Sequence, residues 1–405
     1  MIMDKRLYII YAIVLIDIAI GSVIWPILPA LVKNGKNPAF LLSVGTAIFL
    51  GVQLFTAPLL GKLSDKYGRR PIFLLSSIGT LFANFFLLLK NTPGYFLNRG
   101  ADGLTNGVYS TIRASITDVS TKENLTKNIG LEGTMVSIGF VVGPMLAGGL
   151  IILLGVEGEE SIIPLIVLGL SLSLLNIFLC YLFKETNNHL NKGKFDFRST
   201  VNPLSNFREF LTLKAKNRLL YRLLILNACL VLTLGYYHYY VTFISLGELS
   251  MSPKEISFFF TYMGLISIIV SYIFYTKLAH RVNPTRFISI MALIGVLVLL
   301  SYTFIGASKM LIYVVVTIDC LTLSLIPGVL ESQIGDQATK ENRGKIFGIN
   351  QMISSLSSIV TAVVFGLLTI FSIELPFYWF AICLVPLVFT NTLVDTRQKT
   401  TAGSV

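Results

Sequence analysis

Gly61-Lys62-Leu63-Ser64-Asp65-Lys66-Tyr67-Gly68-Arg69-Arg70-Pro71 separates two apolar segments, each long enough to cross a bilayer. Five of its eleven residues are charged, in a chain where only 13% are, so the stretch belongs in water at a membrane face. Four of the five are cations, and Lys and Arg collect in short loops on the cytoplasmic side. The stretch therefore orients its two neighbours, and the remaining loops can be assigned outward from it.

The composition agrees. With 54% hydrophobic residues, mean hydropathy +0.75 and 28 Phe among 405 residues, one soluble core could not bury the apolar surface. The chain reads as an integral membrane protein. A net charge of +11 and a pI near 9.4 would suggest nucleic acid in a soluble protein. Here the cations fall in inter-helix loops, where membrane orientation explains them and nucleic-acid binding is not expected. Cys180, Cys229, Cys320 and Cys383 lie singly in apolar segments, so neither a disulfide framework nor a metal site is indicated. The apolar run from Leu7 is too long for a signal-peptide core and is expected to remain as the first span.

Spanning helices need about 20 mostly apolar residues. Twelve are predicted, at 7–31, 40–60, 72–90, 94–117, 130–154, 161–183, 219–246, 255–277, 287–306, 309–331, 346–370 and 374–395. With both termini cytoplasmic, Lys and Arg fall overwhelmingly in the loops of that side. The expected organisation is an N-terminal six-helix bundle over 1–183, a cytoplasmic linker over 184–218 and a C-terminal six-helix bundle over 219–405. Within the linker, Leu204, Phe207, Phe210 and Leu211 recur at helical spacing beside Arg208, Lys214 and Lys216, as in a helix lying on the membrane surface.

An internal repeat supports the two halves. Asp118, Thr121-Lys122-Glu123-Asn124, Lys127 and Gly130 recur 218 residues later as Asp336, Thr339-Lys340-Glu341-Asn342, Lys345 and Gly348. One copy follows the fourth span and the other the tenth, so the offset equals six helices. Such parallel repeats are related by an axis along the membrane normal, with the substrate site near mid-bilayer between them.

Ionisable groups inside spans are costly, and each is a functional hypothesis. Asp17 lies eleven residues into the first span, roughly 16 Å deep by helix rise. Burial there disfavours a charge, as a proton-carrying carboxylate requires; a packing hydrogen bond is the other reading. Arg99 and Asp102 are three apart on the fourth span and share a face. Arg99 should differ from Asp17 in depth by roughly 13 Å, so Asp102 or the face of Trp25 is its expected partner. The expected substrate cavity takes Trp25, Gln53, Asn84, Asn227, Tyr237, His238, Asp319, Glu331 and Gln351. Any of the uncharged polar groups could instead join helices. Asp319 and Glu331 flank Pro327-Gly328, an interruption of the kind that is either a tolerated kink or a binding site. With no Walker loop, H-E-x-x-H or Cys/His cluster, an enzyme is not expected, and neither a metal nor any cofactor is.

The opening stretch fits G-x-L-x-D-x-x-G-R-R-P and resembles the loop between helices 2 and 3 of the major facilitator superfamily. The similarity extends over nearly the whole chain and is greatest to that family's drug:proton antiporters, especially those exporting tetracycline. Asp17, Gly21, Pro26, Leu28 and Pro29 resemble their helix 1, and Leu97, Arg99 and Gly103 the motif whose Arg is linked to proton transfer. Gly139, Gly143, Pro144 and Gly148-Gly149 resemble the helix 5 signature of exporters. Physically these small residues allow close helix approach and Pro144 a kink, a packing and gating surface rather than a ligand site.

The resemblance implies proton-coupled export of a small amphipathic or organic solute by alternating access, with Asp17, Arg99 and Asp102 coupling the proton. It also implies a cytoplasmic latch of Gly61, Asp65, Gly68, Arg69, Arg70 and Asp118. Asp65 would face the start of the eleventh span near Lys345 to Gly348, and Arg69 or Arg70 would pair with Asp118. In the second half, Thr276 to Arg286 keeps Leu278 and Arg281 but has His280 and Asn283 in place of Asp65 and Gly68. Only one latch is intact. Tetracycline exporters carry acids on helices 3 and 9, where this chain has Asn84 and no acid, so tetracycline-metal transport is not inherited. A proton symporter importing a nutrient, metabolite or siderophore-like ligand remains an alternative, as does a non-transporting membrane sensor or scaffold. The expected setting is a monomer in a bacterial inner membrane, whose partners are protons, lipid and a small-molecule substrate.

Overall fold

The computed structural model describes residues 4–121, 124–187, 210–214, 216–337 and 343–395, excluding the side chains at 126, 236–238, 280, 343–345, 347 and 393–395. The described residues are helical and contain no strand. In chain order the helices are α1 (Lys5–Val32), α2 (Pro38–Tyr67), α3 (Arg69–Leu89), α4 in two pieces (Thr92–Thr105 and Tyr109–Val119), α5 (Leu125–Leu154) and α6 (Ile162–Leu182). They continue as α7 (Arg218–Leu246), α8 (Pro253–Leu278), α9 (Pro284–Phe304), α10 (Lys309–Asp336), α11 (Arg343–Thr369) and α12 (Leu375–Val388). Eleven of the described helices are long and apolar enough to cross a membrane. The fourth predicted span is divided, into fourteen- and eleven-residue pieces that are each too short alone.

The opening stretch is not a loop. Residues 61–67 continue α2 as helix, and the whole turn is Gly68 at φ +99°, after which Arg69 starts α3. A left-handed residue with no Cβ can reverse the chain in one step, so the charged residues are displayed on two helix ends. Two helices change their winding beside prolines. α1 tightens to a 3-10 turn at Trp25–Ile27, and α10 does so at Leu323–Leu325, next to Pro26 and Pro327 respectively. Proline removes a backbone donor and crowds the preceding turn. Of the surface helix expected in the linker, residues 210–214 and 216 are described; they are helical, and Phe210 stacks on Tyr221 at 4.9 Å.

By their internal contacts the residues form two compact units, Met1–Asn202 with Met251–Gly264, and Pro203–Ser250 with Leu265–Val405. In the first, α1 is the most buried element and packs on α5 and α6. At the end of the helices that carries the charged residues, Leu7, Ile10, Val14, Phe73, Ile112 and Phe183 pack into one apolar cluster. In the second, Phe243, Tyr302, Phe377 and Phe380 form an aromatic core, with Tyr302 stacked on Phe377 at 4.9 Å.

Candidate functional site

α1 reaches α5 through the glycines of the helix 5 motif. A Cβ at Gly139 would lie 2.7 Å from Ile18 Cβ and 2.9 Å from the Leu15 carbonyl oxygen, and one at Gly143 2.8 Å from that of Ala19. The Ser22 hydroxyl lies 3.1 Å from the Gly139 carbonyl oxygen and 2.9 Å from that of Ile18. Backbone therefore meets backbone on both sides of residue 17. Gly148 lies against Ser257, and Gly149 has open space beside it.

Asp17 is buried, and the Tyr109 hydroxyl donates to its Oδ2 at 3.0 Å. Among the described residues no Lys, Arg or His is within ion-pair distance of it. Tyr109 opens the second piece of α4, so the break in α4 aims it. That break is built by α2. Gln53 Nε2 donates to the Asn106 carbonyl at 2.8 Å and the Thr56 hydroxyl to that of Gly103 at 2.8 Å, satisfying acceptors the helix releases there. Gly107 allows the approach, since a Cβ on it would sit 2.6 Å from Ala57 Cα. Asp102, also buried, accepts from Thr80 at 3.2 Å and from Asn106 at 3.3 Å.

Arg99 makes its contacts elsewhere, and its partners differ from those predicted. Its Nε and a terminal nitrogen donate to Asn98 Oδ1 at 2.8 and 2.6 Å, and its guanidinium lies over Phe49 and Tyr95, 5.6 and 6.0 Å from the ring centroids. Trp25 packs instead on Phe140 and Phe260. Asp102 and Trp25 were the expected partners because sequence spacing cannot reveal which rings of α2 and α4 line the guanidinium.

Four of the nine residues assigned to the substrate cavity are hydrogen-bonded to neighbouring helices. Asn84 donates to the Ser173 hydroxyl at 3.3 Å and accepts from Asn98 at 3.2 Å, tying α3 to α6 and α4. Asn227 donates to Asn350 at 2.9 Å and to Ser354 at 3.2 Å, tying α7 to α11. Gln53 holds the α4 break. Asp319 has no exposed surface and accepts from Tyr240 and Tyr302 at 2.9 and 2.7 Å, the two hydroxyls also touching each other. A solute could reach it only after rearrangement of the aromatic core. Glu331 and Gln351 are exposed, and the side chains of Tyr237 and His238 lie outside those described.

The charged end of the first unit holds a compact cluster. Arg69 donates to Asp65 at 2.5 Å, to Ser64 at 2.6 Å and to Asp118 at 3.0 Å. Arg70 instead donates to the Tyr181 carbonyl at 2.6 Å. Lys345, toward which Asp65 was expected to face, lies outside the described side chains. Glu185, which motif reading missed, completes the cluster. Its Oε1 accepts the Arg69 backbone N–H at 2.9 Å and its Oε2 that of Arg70 at 3.0 Å, capping α3 from the far side of α6. The signal was a lone acid just after a span, in a basic segment. Burial pushes the Glu185 carboxyl up, but donors at Asn187, Arg69, Arg70 and Thr186 outweigh it and hold it below the usual carboxylate range. Its stabilising contribution is thus present above the unfolded value and is lost as pH falls through the lowered folded value. We expect Glu185→Gln to lower stability by about 1 kcal/mol, as lost helix caps do. Thermal melts should show the deficit at neutral pH and a smaller one in acid; equal melts at neutral pH would remove Glu185 from the cluster's support.

Eleven described helices long and apolar enough to cross a membrane, packed backbone to backbone, define the class of a helical integral membrane protein. The chain belongs to the Major Facilitator Superfamily, whose sequence profile matches residues 7–362. It is 33% identical over 189 residues to the class H tetracycline resistance protein of Pasteurella multocida, covering 45% of this chain and 46% of that one. The chain thus spans about half the length of that relative. It is 25% identical over 381 residues to the quinolone resistance protein NorA of Staphylococcus aureus (strain MSSA476), covering 93% of both chains. It is 22% identical over 372 residues to multidrug resistance protein 2 of Bacillus subtilis (strain 168), covering 89% and 87%. Among solved structures, the human organic anion transporter MFSD10 matches over 96% of this chain and 99% of its own with a TM-score of 0.68 at 17% identity. The nucleoside transporter NupG matches over 97% and 100% with a TM-score of 0.74 at 12% identity. The two structural matches speak for the fold alone.

Proposed function

We propose that this protein is a proton-coupled exporter of small amphipathic organic solutes, working by alternating access of its two halves in a bacterial inner membrane with both termini cytoplasmic. Asp17 carries this reading. A buried carboxylate whose hydrogen bond comes from a neutral phenol, with no cation beside it among the described residues, costs several kcal/mol when ionised. It is accommodated as a neutral acid and charges only when water or a cationic solute reaches it. That is the property needed to bind proton and solute in turn. Asp102 adjusts Asp17 electrostatically, and Arg99 contributes through Asn98 and the α3 to α6 ties. The Asp65–Arg69–Asp118–Glu185 cluster acts as a latch for one of the two states. The tetracycline, quinolone and multidrug resistance relatives support amphipathic organic cargo.

Direction is the decisive measurement. With the chain reconstituted in liposomes and a pH gradient imposed, ethidium should move against the proton flow. Movement of ethidium, or of an organic acid or metal chelate, in the same direction as the proton would instead make the protein an importer.

A further inference from the structure

Arg99 on α4 is seven residues from Thr92, about 10 Å into the helix by its rise. Its guanidinium is charged at every accessible pH, and charges inside a span are found beside an opposite charge or facing water. Among the described residues no Asp or Glu lies within ion-pair distance of it. Asp102, three residues on, accepts from Thr80 and Asn106 instead. The groups that hold Arg99 are neutral: Asn98 Oδ1 and the rings of Phe49 and Tyr95.

These neutral groups are themselves fixed. Asn98 has no exposed surface and donates to the Ala83 carbonyl at 2.9 Å and to Asn84 Oδ1 at 3.2 Å. Tyr95 is buried, and its hydroxyl donates to the Leu42 carbonyl at 2.8 Å. The plane and direction of the guanidinium are therefore set in advance. Asn98 fills the side fork, the Nε and Nη2 donors. The end fork, the outer donors of Nη1 and Nη2, makes no hydrogen bond to a described residue.

The rotation of α4 says what that fork can meet. Leu97 and Leu104, 50% and 58% exposed, lie on one side of the helix and form its lipid face. Arg99 follows Leu97 by two residues, just over half a turn, so it is directed away from lipid. It is nevertheless only half-buried, as is Phe49 beside it. Water or a dissolved solute, rather than an acyl chain, reaches this side of the helix.

We propose that Arg99 is the carboxylate-binding group of a cargo subsite in the first unit, holding one carboxylate end-on through Nη1 and Nη2. Amphipathic carboxylic acids and zwitterions are then cargo, as well as cations. The inference deepens the reading of this protein as a carrier of small amphipathic solutes and rests on it. A planar carboxylate matches the end fork in spacing and in charge, which the amide and the rings do not neutralise. Phe49 supplies apolar surface for the remainder of the solute.

Calorimetric titration of the full chain in detergent with 2-naphthoate and with its neutral isostere 2-naphthamide tests this. The unmodified chain should bind the acid about tenfold or more tightly than the amide, the size of a hydrogen bond to a charged group. In Arg99→Gln, shown to be folded by thermal melting, the two affinities should converge. Arg99→Lys should keep part of the preference, since it retains the charge without the fork. Equal binding of acid and amide by the unmodified chain overturns the proposal, as does a preference that survives in Arg99→Gln. An equal loss of affinity for both ligands in Arg99→Gln, with their ratio kept, would make the guanidinium purely structural and overturn it too. Should Arg99→Gln fail to fold, Arg99→Lys decides: an undiminished preference there places the carboxylate elsewhere. Binding is read at equilibrium without a gradient, so lack of proton-driven ethidium flux would count against the exporter reading and not against this one.

Discussion

Asp17→Asn is expected to abolish proton-driven ethidium flux while leaving a folded protein. The amide is nearly isosteric with the carboxyl, and its oxygen can still accept the Tyr109 hydroxyl now 3.0 Å from Oδ2. Neither a cavity nor an orphaned phenol results, so melting should change little. What disappears is the only titrating group on α1 between Tyr11 and Val32. Coupled flux should fall about 100-fold or more, the order by which losing a positioned proton-transfer group slows a reaction. Exchange of ethidium without a gradient should fall as well, because Asp17 is also the charge that receives the cationic solute. The measurement is ethidium flux in proteoliposomes with and without an imposed pH gradient. Unchanged gradient-driven flux would reduce Asp17 to a packing hydrogen bond and remove the support for proton coupling.

The second large effect is expected at Gly143. A Cβ there would run into the Ser22 side chain and come within 2.8 Å of the Ala19 carbonyl oxygen, which is backbone and cannot step aside. Gly143→Leu must push α1 away from α5, breaking the Ser22 contact to the Gly139 carbonyl and drawing Asp17 off Tyr109. Overpacking of this kind costs about 1–3 kcal/mol. The variant should melt lower and lose most of its flux. Gly149→Ala belongs to the same motif but meets nothing within 4 Å, so it should melt and transport as the unmodified chain does. Similar melting of Gly143→Leu and the unmodified chain would show that the helix 5 glycines do not set the approach to α1.

The pair Gly143 and Gly149 shows how far the motif could be read without coordinates. Small residues at four-residue spacing mark a close helix contact because only their lack of side chain lets backbones meet. They do not say which glycine faces which helix. The same limit explains the polar residues. Asp17 was legible, since one acid among apolar residues is unmistakable at any rotation of the helix. Tyr109 was not, because a tyrosine is unremarkable in a membrane chain and its role depends on the α4 break that Gln53 and Thr56 hold open. Asn84, Asn227 and Asp319 could be recognised as buried polar groups, but not as pegs between helices, because their partners lie between 14 and 127 residues away.

Hydropathy and loop charge, properties of the residues themselves, determined from the sequence alone that this is a polytopic helical membrane protein and where its spans lie. The motifs determined its family. Tertiary structure alone decided that Gly61 to Tyr67 is helix, that the turn is the single residue Gly68, and that Glu185 rather than Arg70 completes the charged cluster. It also decided that Asp17 meets Tyr109. The physical reason is range. Burial and charge preference act residue by residue and leave their mark locally, whereas a hydrogen bond or a backbone contact exists only when packing brings distant segments within 3 Å.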